Sequence, residues 1–102
     1  MIAVRDPNGF RPLCLGVLEN GAHVVASETC ALDLIEAEYL REIEPGEVLI
    51  INEQGLTSLF PWAPVQKSFC IFEHVYFARP DSDVFGFNVY AARKRMGEIL
   101  AR

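Results

Sequence analysis

The sequence predicts an α+β fold, mainly antiparallel hairpins with one helix at the C-terminal end. Two observations carry this. Residues 1–60 hold short apolar runs broken by Pro, Asn and Gly at intervals too short for long helices. After Asn88 the spacing changes, and Val89, Ala92, Met96 and Ile99 fall on one face of a helix. A composition of 51% hydrophobic and 23% charged residues belongs to a folded chain, not to a disordered tail.

The elements follow in order. Ile2 to Val4 is an apolar, β-branched strand, and Asp6-Pro7-Asn8-Gly9 is a turn. Leu13 to Leu18 and His23 to Ala26 are two strands of a hairpin. Asn20-Gly21 between them predicts a two-residue type I′ connection, because both residues tolerate positive φ. Ser27 is the expected N-cap of a helix over Glu28 to Ala37, with Glu28 favoured in its first turn. Its apolar face would be Cys30, Ala31, Leu34 and Ile35, extended by Tyr39 and Leu40. Glu44-Pro45-Gly46-Glu47 turns the chain into a second hairpin, Val48 to Ile51 and Leu56 to Phe60, joined by Asn52 to Gly55. Pro61, Trp62 and Pro64 mark a loop. Phe69 to Phe77 alternates poorly, and Ile71, Phe72, Val75 and Tyr76 also fit a short helix. Arg79 to Asp83 is a turn-rich break. Asn88 caps the last helix, Val89 to Arg102, in which Lys94 and Glu98 are spaced to pair. That helix is basic at Arg93, Lys94 and Arg95, and its apolar stripe continues to the terminus, so its packing partner, or more helix, is expected outside the chain.

Charge excludes some functions. Nine Lys+Arg against 14 Asp+Glu give a net charge of -5. An acidic chain is a poor partner for nucleic acid or an anionic membrane. No apolar run approaches the ~18 residues of a membrane span, and Met1 to Phe10 lacks the pattern of a secretory signal. Cys14, Cys30 and Cys70 match no CxxC spacing, so reduced thiols and a cytoplasmic location are expected.

No catalytic motif of the phosphate-loop, dinucleotide, zinc-protease or serine-elbow kind is present. His23 reads as a strand residue. His74, beside Glu73 in an apolar stretch, reads as packed, with a ligand or general-base role as the alternative. Cys14 reads as a buried small hydrophobe. Cys30 also reads as core, although a helix N-terminus would lower a thiol pKa. The segment Arg5 to Pro12 reads as a rigid connection in which Asp6 caps the turn and accepts from a guanidinium, with an anion site as the alternative. Asp81 and Asp83 read as a solvated turn, not a metal site.

Five ordered blocks add a resemblance: R-D-P-N-G-F-R-P-L from Arg5, V-A-S-E-T-C-A-L-D from Val25, E-P-G-E from Glu44, C-I-F-E-H-V-Y-F-A-R-P-D-S from Cys70 and V-Y-A-A-R-K-R-M-G from Val89. Together they resemble the amidophosphoribosyltransferases, which make 5-phosphoribosylamine from phosphoribosylpyrophosphate and glutamine in the first step of purine synthesis. The resemblance implies a piece of a longer enzyme. Residues 1–68 would be the C-terminal part of a class II glutaminase domain, 69–87 an interdomain segment and 88–102 the first helix of the phosphoribosyltransferase domain. The implied architecture is part of the α/β/β/α sandwich of the N-terminal nucleophile hydrolases.

It implies no catalytic residue in this chain. The family's nucleophile is a cysteine at the mature N-terminus, and residue 2 here is Ile2. Phe72 and Tyr76 match aromatic positions that wall the family's ammonia channel, with plain interface core as the alternative. Cys70 matches a position that ligates a 4Fe-4S cluster in some members. No cofactor is expected on this chain alone; the whole enzyme would use Mg²⁺ and, in some members, the cluster. The expected partners are the remainder of its own polypeptide and further copies of itself. Two rivals remain: a stand-alone β-rich binding or assembly module, favoured if Val89 to Arg102 packed back on the hairpins and closed a compact monomer, and a piece of another class II glutamine amidotransferase, which the block from Cys70 disfavours.

Overall fold

Period-two alternation in the first 60 residues builds two stacked antiparallel sheets. The computed structural model, which describes residues 1–102, contains β1 (Ile2–Val4), β2 (Cys14–Val17), β3 (His23–Ala26), α1 (Thr29–Leu34), β4 (Glu38–Glu42), β5 (Val48–Asn52) and β6 (Gly55–Leu59). After them come a single π-helical turn (Glu73–Phe77), a two-residue-per-strand hairpin of β7 (Asp83–Val84) and β8 (Phe87–Asn88), and α2 (Val89–Leu100). The mixed α+β class, with antiparallel sheets and a C-terminal helix, is as expected.

One sheet has the order β1-β5-β6 and the other β3-β2-β4. Pairing sets which side chains share a face. Ala3 lies opposite Leu49, and Leu15 opposite Val25. These inward residues meet with Ile43 in a core of Ala3, Leu15, Ile43 and Leu49, between the two sheets. The other face of the β3-β2-β4 sheet presents Cys14 and, beside it, Val24 and Ala26. Leu32 of α1 and Ala37 pack there. The layers are therefore α1, sheet, sheet.

The outer face of the β1-β5-β6 sheet has no covering layer. Ile2 pairs with Ile50, Val4 with Val48, and Val48 with Leu59, so these five share that face. Ile2 is 67% exposed and Val4 53%. The molecule is a slab of 55 × 35 × 15 Å with a radius of gyration of 15.2 Å, against about 13 Å for a closed globule of this length. Only 20 of 102 residues are buried, too few for a closed core. The stand-alone module is not supported, because α2 packs on the π-helical turn and β8.

Charged groups cross the sheet interface beside this small core. Arg41 on β4 makes a two-pronged pair with Glu47, Nη2 to Oε1 at 2.7 Å and Nη1 to Oε2 at 2.9 Å. Ser58 Oγ on β6 and the Glu44 backbone N–H also donate to that carboxylate. Arg5 is 3% exposed. It donates to the Ile43 carbonyl at 2.6 Å, the Glu42 carboxylate at 3.3 Å and the Arg11 carbonyl at 3.0 Å.

Several expectations need correction. Ser27 does not cap α1; Glu28 occupies the cap position, and its carboxylate accepts from no helix N–H. The helix ends at Leu34, not near Ala37 or Leu40. Glu36 takes φ 55°, the Glu36 N–H donates to Asp33 and the Ala37 N–H to Leu32, a helix-ending motif that usually uses glycine. Leu34 is consequently 72% exposed, and the buried residues of the helix are Cys30, as expected, and Leu32. Tyr39 and Leu40 lie in β4, with Leu40 bulged out of the pairing between Leu15 and Gly16. The first hairpin is not type I′. Leu18 pairs with Ala22, and only Gly21 in the loop has positive φ, which makes a three-residue loop. The type I′ pattern occurs instead at Phe85-Gly86, φ 52° and 80°, between β7 and β8. The second hairpin has two connecting residues, not four, because Asn52 pairs with Gly55. Glu98 pairs with Arg95, not Lys94. Asn88 does cap α2, accepting from the Ala91 N–H at 3.1 Å.

Two outcomes follow from this packing. Leu49→Ala should lower unfolding free energy by about 2–5 kcal/mol, whereas Leu59→Ala, on the open face, should cost about 1 kcal/mol or less; urea titration measures both. Arg41, Ser58 and the Glu44 amide hold the Glu47 carboxyl down from its ordinary 4.5 to about 2, against the opposing effect of burial. A depressed carboxyl stabilises the fold above pH 4.5 and loses that contribution as pH falls from 4.5 toward 2. Glu47→Gln should flatten that acid limb in urea midpoints taken across the range.

Candidate functional site: the aromatic turn between the sheets and the last helix

The segment after the second hairpin is tied to the first loop before it turns. The Asn8 side chain donates to the Gln66 carbonyl, Ser68 N–H to the Asn8 carbonyl and Cys70 N–H to the Phe10 carbonyl, at 3.0, 2.8 and 3.0 Å. This fixes where the turn over Glu73–Phe77 begins. Its closing bond runs from Ala78 N–H to the Glu73 carbonyl, five residues back. Such one-turn π geometry recurs at functional sites. Here it fans aromatic rings outward. Phe77 lies 6.2 Å from Phe72 and 6.1 Å from Tyr76, centroid to centroid. Tyr76 is 78% exposed and Phe72 55%. The two expected channel residues therefore sit on one exposed aromatic surface and are not buried core within this chain.

The opposite side of the turn is anchored. Glu73 is 1% exposed and forms an ion pair with Arg11, whose guanidinium also lies 4.9 Å from the centre of the Phe77 ring. Asp6 does not serve an arginine; its carboxylate caps the turn by accepting from the Phe10 N–H. The anion-site alternative for Arg5 to Pro12 has no free guanidinium to use, because Arg5 and Arg11 are both committed to carboxylates. His74 is buried, and its Nε2 lies 3.1 Å from the Val84 carbonyl, which fixes a proton on that nitrogen. That is a packing role, beside Phe85 and Phe87. Phe85 in its left-handed conformation stacks on Phe69, 4.4 Å apart and 9° from parallel.

A second set of bonds joins this region to α1. The Glu28 carboxylate accepts from the Arg79 N–H at 3.0 Å and from Ser82 Oγ at 3.2 Å. Thr29 Oγ1 accepts from the Asp83 N–H at 2.9 Å. On the other side, Arg93 of α2 donates through Nε to the His74 carbonyl and through Nη2 to the Ala78 carbonyl, both at 2.8 Å.

Sequence reasoning read Glu28 only as a helix-dipole partner and Arg93 only as part of a basic run. A signal for Arg93 was present. It stands four residues after the buried Val89, on the packed face of α2, where a charge needs a partner.

The thiols are dispersed. Cys14 and Cys30 are buried, while Cys70 is half-buried in the aromatic segment. No three His, Cys, Asp or Glu side chains are grouped so as to hold a metal ion. Burial raises the Cys14 thiol to about 11. Burial also raises Cys30, helped by the neighbouring Glu28 carboxylate and only partly offset by Ser82. The helix-terminus lowering does not prevail. A cleft of about 480 Å³ near α1 includes Asp33, Glu42, Asp81 and Asp83 in its lining, a charge unsuited to phosphate.

No protein-family model matches the chain. The curated relatives are decisive. An amidophosphoribosyltransferase of Bacillus subtilis (strain 168) is 52% identical over 102 residues, all of this chain and 21% of its own length. The chloroplastic enzyme of that name from Glycine max is 58% identical over 101 residues, 99% of this chain and 18% of its own. The chain corresponds to a segment of the amidophosphoribosyltransferases. It spans about a fifth of the length of these relatives. The structure agrees: a glutamine phosphoribosylpyrophosphate amidotransferase from B. subtilis, complexed with ADP and GMP, superposes with a TM-score of 0.92 at 51% identity, covering 99% of this chain and 22% of that one. A second solved structure, described as the allosteric regulatory enzyme of purine biosynthesis, gives the same values. No helix of this amidophosphoribosyltransferase segment is long and apolar enough to cross a membrane.

Thiol reactivity tests the arrangement. A charged disulfide reagent near pH 8 should modify Cys70 first, with Cys14 and Cys30 protected until denaturant is added; mass mapping of the labelled peptides reads the order.

Proposed function

We propose that this segment is the framework and interdomain connector of an amidophosphoribosyltransferase that makes 5-phosphoribosylamine from phosphoribosylpyrophosphate and glutamine. The observation that carries the reading is the match over the full chain, in sequence and in fold, to enzymes of that name. Residues 1–68 serve as the C-terminal part of the glutaminase domain, 69–87 as the crossing and 88–102 as the first helix of the transferase domain. The three layers present fit an α/β/β/α sandwich of the N-terminal nucleophile hydrolase kind. The remainder of the polypeptide supplies the fourth layer, over Ile2, Val4 and Ile50.

In the whole enzyme the chemistry has two steps. A thiolate from outside this segment attacks the glutamine amide carbon and releases ammonia, and water then frees glutamate from the thioester. The ammonia nitrogen forms a bond to C1 of the ribose, the bond from C1 to pyrophosphate breaks, and one proton passes to solvent. Between the steps ammonia must stay out of bulk water, where it would be protonated. The exposed rings of Phe72 and Tyr76 supply apolar wall for that passage, completed by the rest of the enzyme.

Magnesium on the pyrophosphate would be held where phosphoribosylpyrophosphate binds, in the rest of the enzyme. A 4Fe-4S cluster could draw at most one ligand, Cys70, because Cys14 is buried against α1 and Cys30 is buried within that helix. Three free thiols support a reducing compartment, with the cytoplasm as the proposed one. The open apolar face also supports self-association of the isolated segment.

Expressed as a whole, the reading frame containing this segment should consume glutamine and phosphoribosylpyrophosphate and release glutamate and pyrophosphate one for one. The 102-residue chain alone should hydrolyse no glutamine. Glutamate release by the isolated chain would contradict the assignment of the nucleophile to another stretch.

A further inference from the structure

We propose that Arg93 is a positioning residue that locks the aromatic turn to the last helix, and so keeps ammonia on its path between the two half-reactions; this rests on the reading under Proposed function. The turn's geometry creates the need. In an ordinary helix the His74 carbonyl would accept from the N–H of residue 78. Here Ala78 N–H is committed to the Glu73 carbonyl, and the next amide, Arg79 N–H, to the Glu28 carboxylate. The His74 carbonyl is therefore left to the Arg93 Nε at 2.8 Å, while Nη2 takes the Ala78 carbonyl at the same distance. One planar guanidinium thus spans the turn, with Tyr76 midway between the two carbonyls it grips and Phe72 just before them. A lysine at this position could not hold both in that geometry.

The anchor is itself rigid. Asn88 caps α2, Val89 is fully buried, and Arg93 follows one turn later on the same face. Its basic neighbours differ, since Lys94 is exposed and Arg95 reaches only Glu98 at the surface. Glu28 grips the end of the turn from the glutaminase side, and Arg93 grips it from the helix assigned to the transferase. Without Arg93 the turn would keep its ties to Arg11 and Glu28 but lose its registration to the helix, and the rings beyond it would cease to close the wall.

The test uses the whole enzyme carrying Arg93→Ala, Arg93→Lys or, as a surface comparison, Arg95→Ala. Glutamate formed per phosphoribosylamine is measured, together with the transferase rate driven by added ammonium salt. For both Arg93 variants we expect the ratio to rise about threefold or more, with the ammonium-driven rate within about twofold of the parent. Arg95→Ala should leave the ratio near one. A folded Arg93 variant with a ratio still near one overturns the proposal. So does an equal loss of the glutamine-driven and ammonium-driven rates, which would mark a merely structural role. Should Arg93→Ala fail to fold, Arg93→Lys decides by the same ratio. A parent enzyme that forms no phosphoribosylamine from either nitrogen source would instead refute the underlying reading.

Discussion

Buried charge, each unit of it partnered, holds this structure together. The apolar core between the sheets is four residues, so it cannot fix the layers alone. Arg41 and Glu47 join the inner faces of the two sheets, and Arg5 gathers the loops around Glu42, Ile43 and Arg11. A buried ion pair adds little net stability over an apolar replacement, but removing one member leaves the other uncompensated. The consequence is geometric. These groups permit one stacking of the sheets and one path for the loop from Asp6 to Pro12, and that loop receives the segment 66–70 by backbone bonds.

The same device recurs at the aromatic turn. Glu73 is tied to Arg11, Arg79 N–H to Glu28 and two carbonyls to Arg93. Each bond satisfies a backbone or side-chain group that the irregular turn would otherwise leave unpaired. Polar groups therefore face inward on this element and aromatic rings face outward. A piece of an amidophosphoribosyltransferase that spans about a fifth of its relatives can present apolar surface to the rest of the polypeptide while its own backbone stays satisfied.

The open face of the β1-β5-β6 sheet follows from the same logic. A strand such as Val48–Asn52, apolar on both sides, is suited to the inside of a layered structure. Covered on one side by the second sheet, it leaves Val48 and Ile50 on the open face.

The strands of both hairpins, the turns at Pro7-Asn8 and Pro45-Gly46 and the Asn88 cap are legible in the residues alone, because each rests on local chemistry: alternation, preset φ, a side chain that reaches its own backbone. Tertiary structure decided the rest. Glu38–Glu42 carries helix-compatible residues and becomes a strand because β2 offers an unpaired edge and Glu36 accepts a left-handed turn. Phe85 takes positive φ with Phe69 stacked on its ring, whereas Asn20, which could have, does not. The partners of Glu28 and Arg93 lie 51 and 19 residues away, respectively, at Arg79 and His74. Local pattern cannot reveal a bond whose two ends meet only when the layers stack.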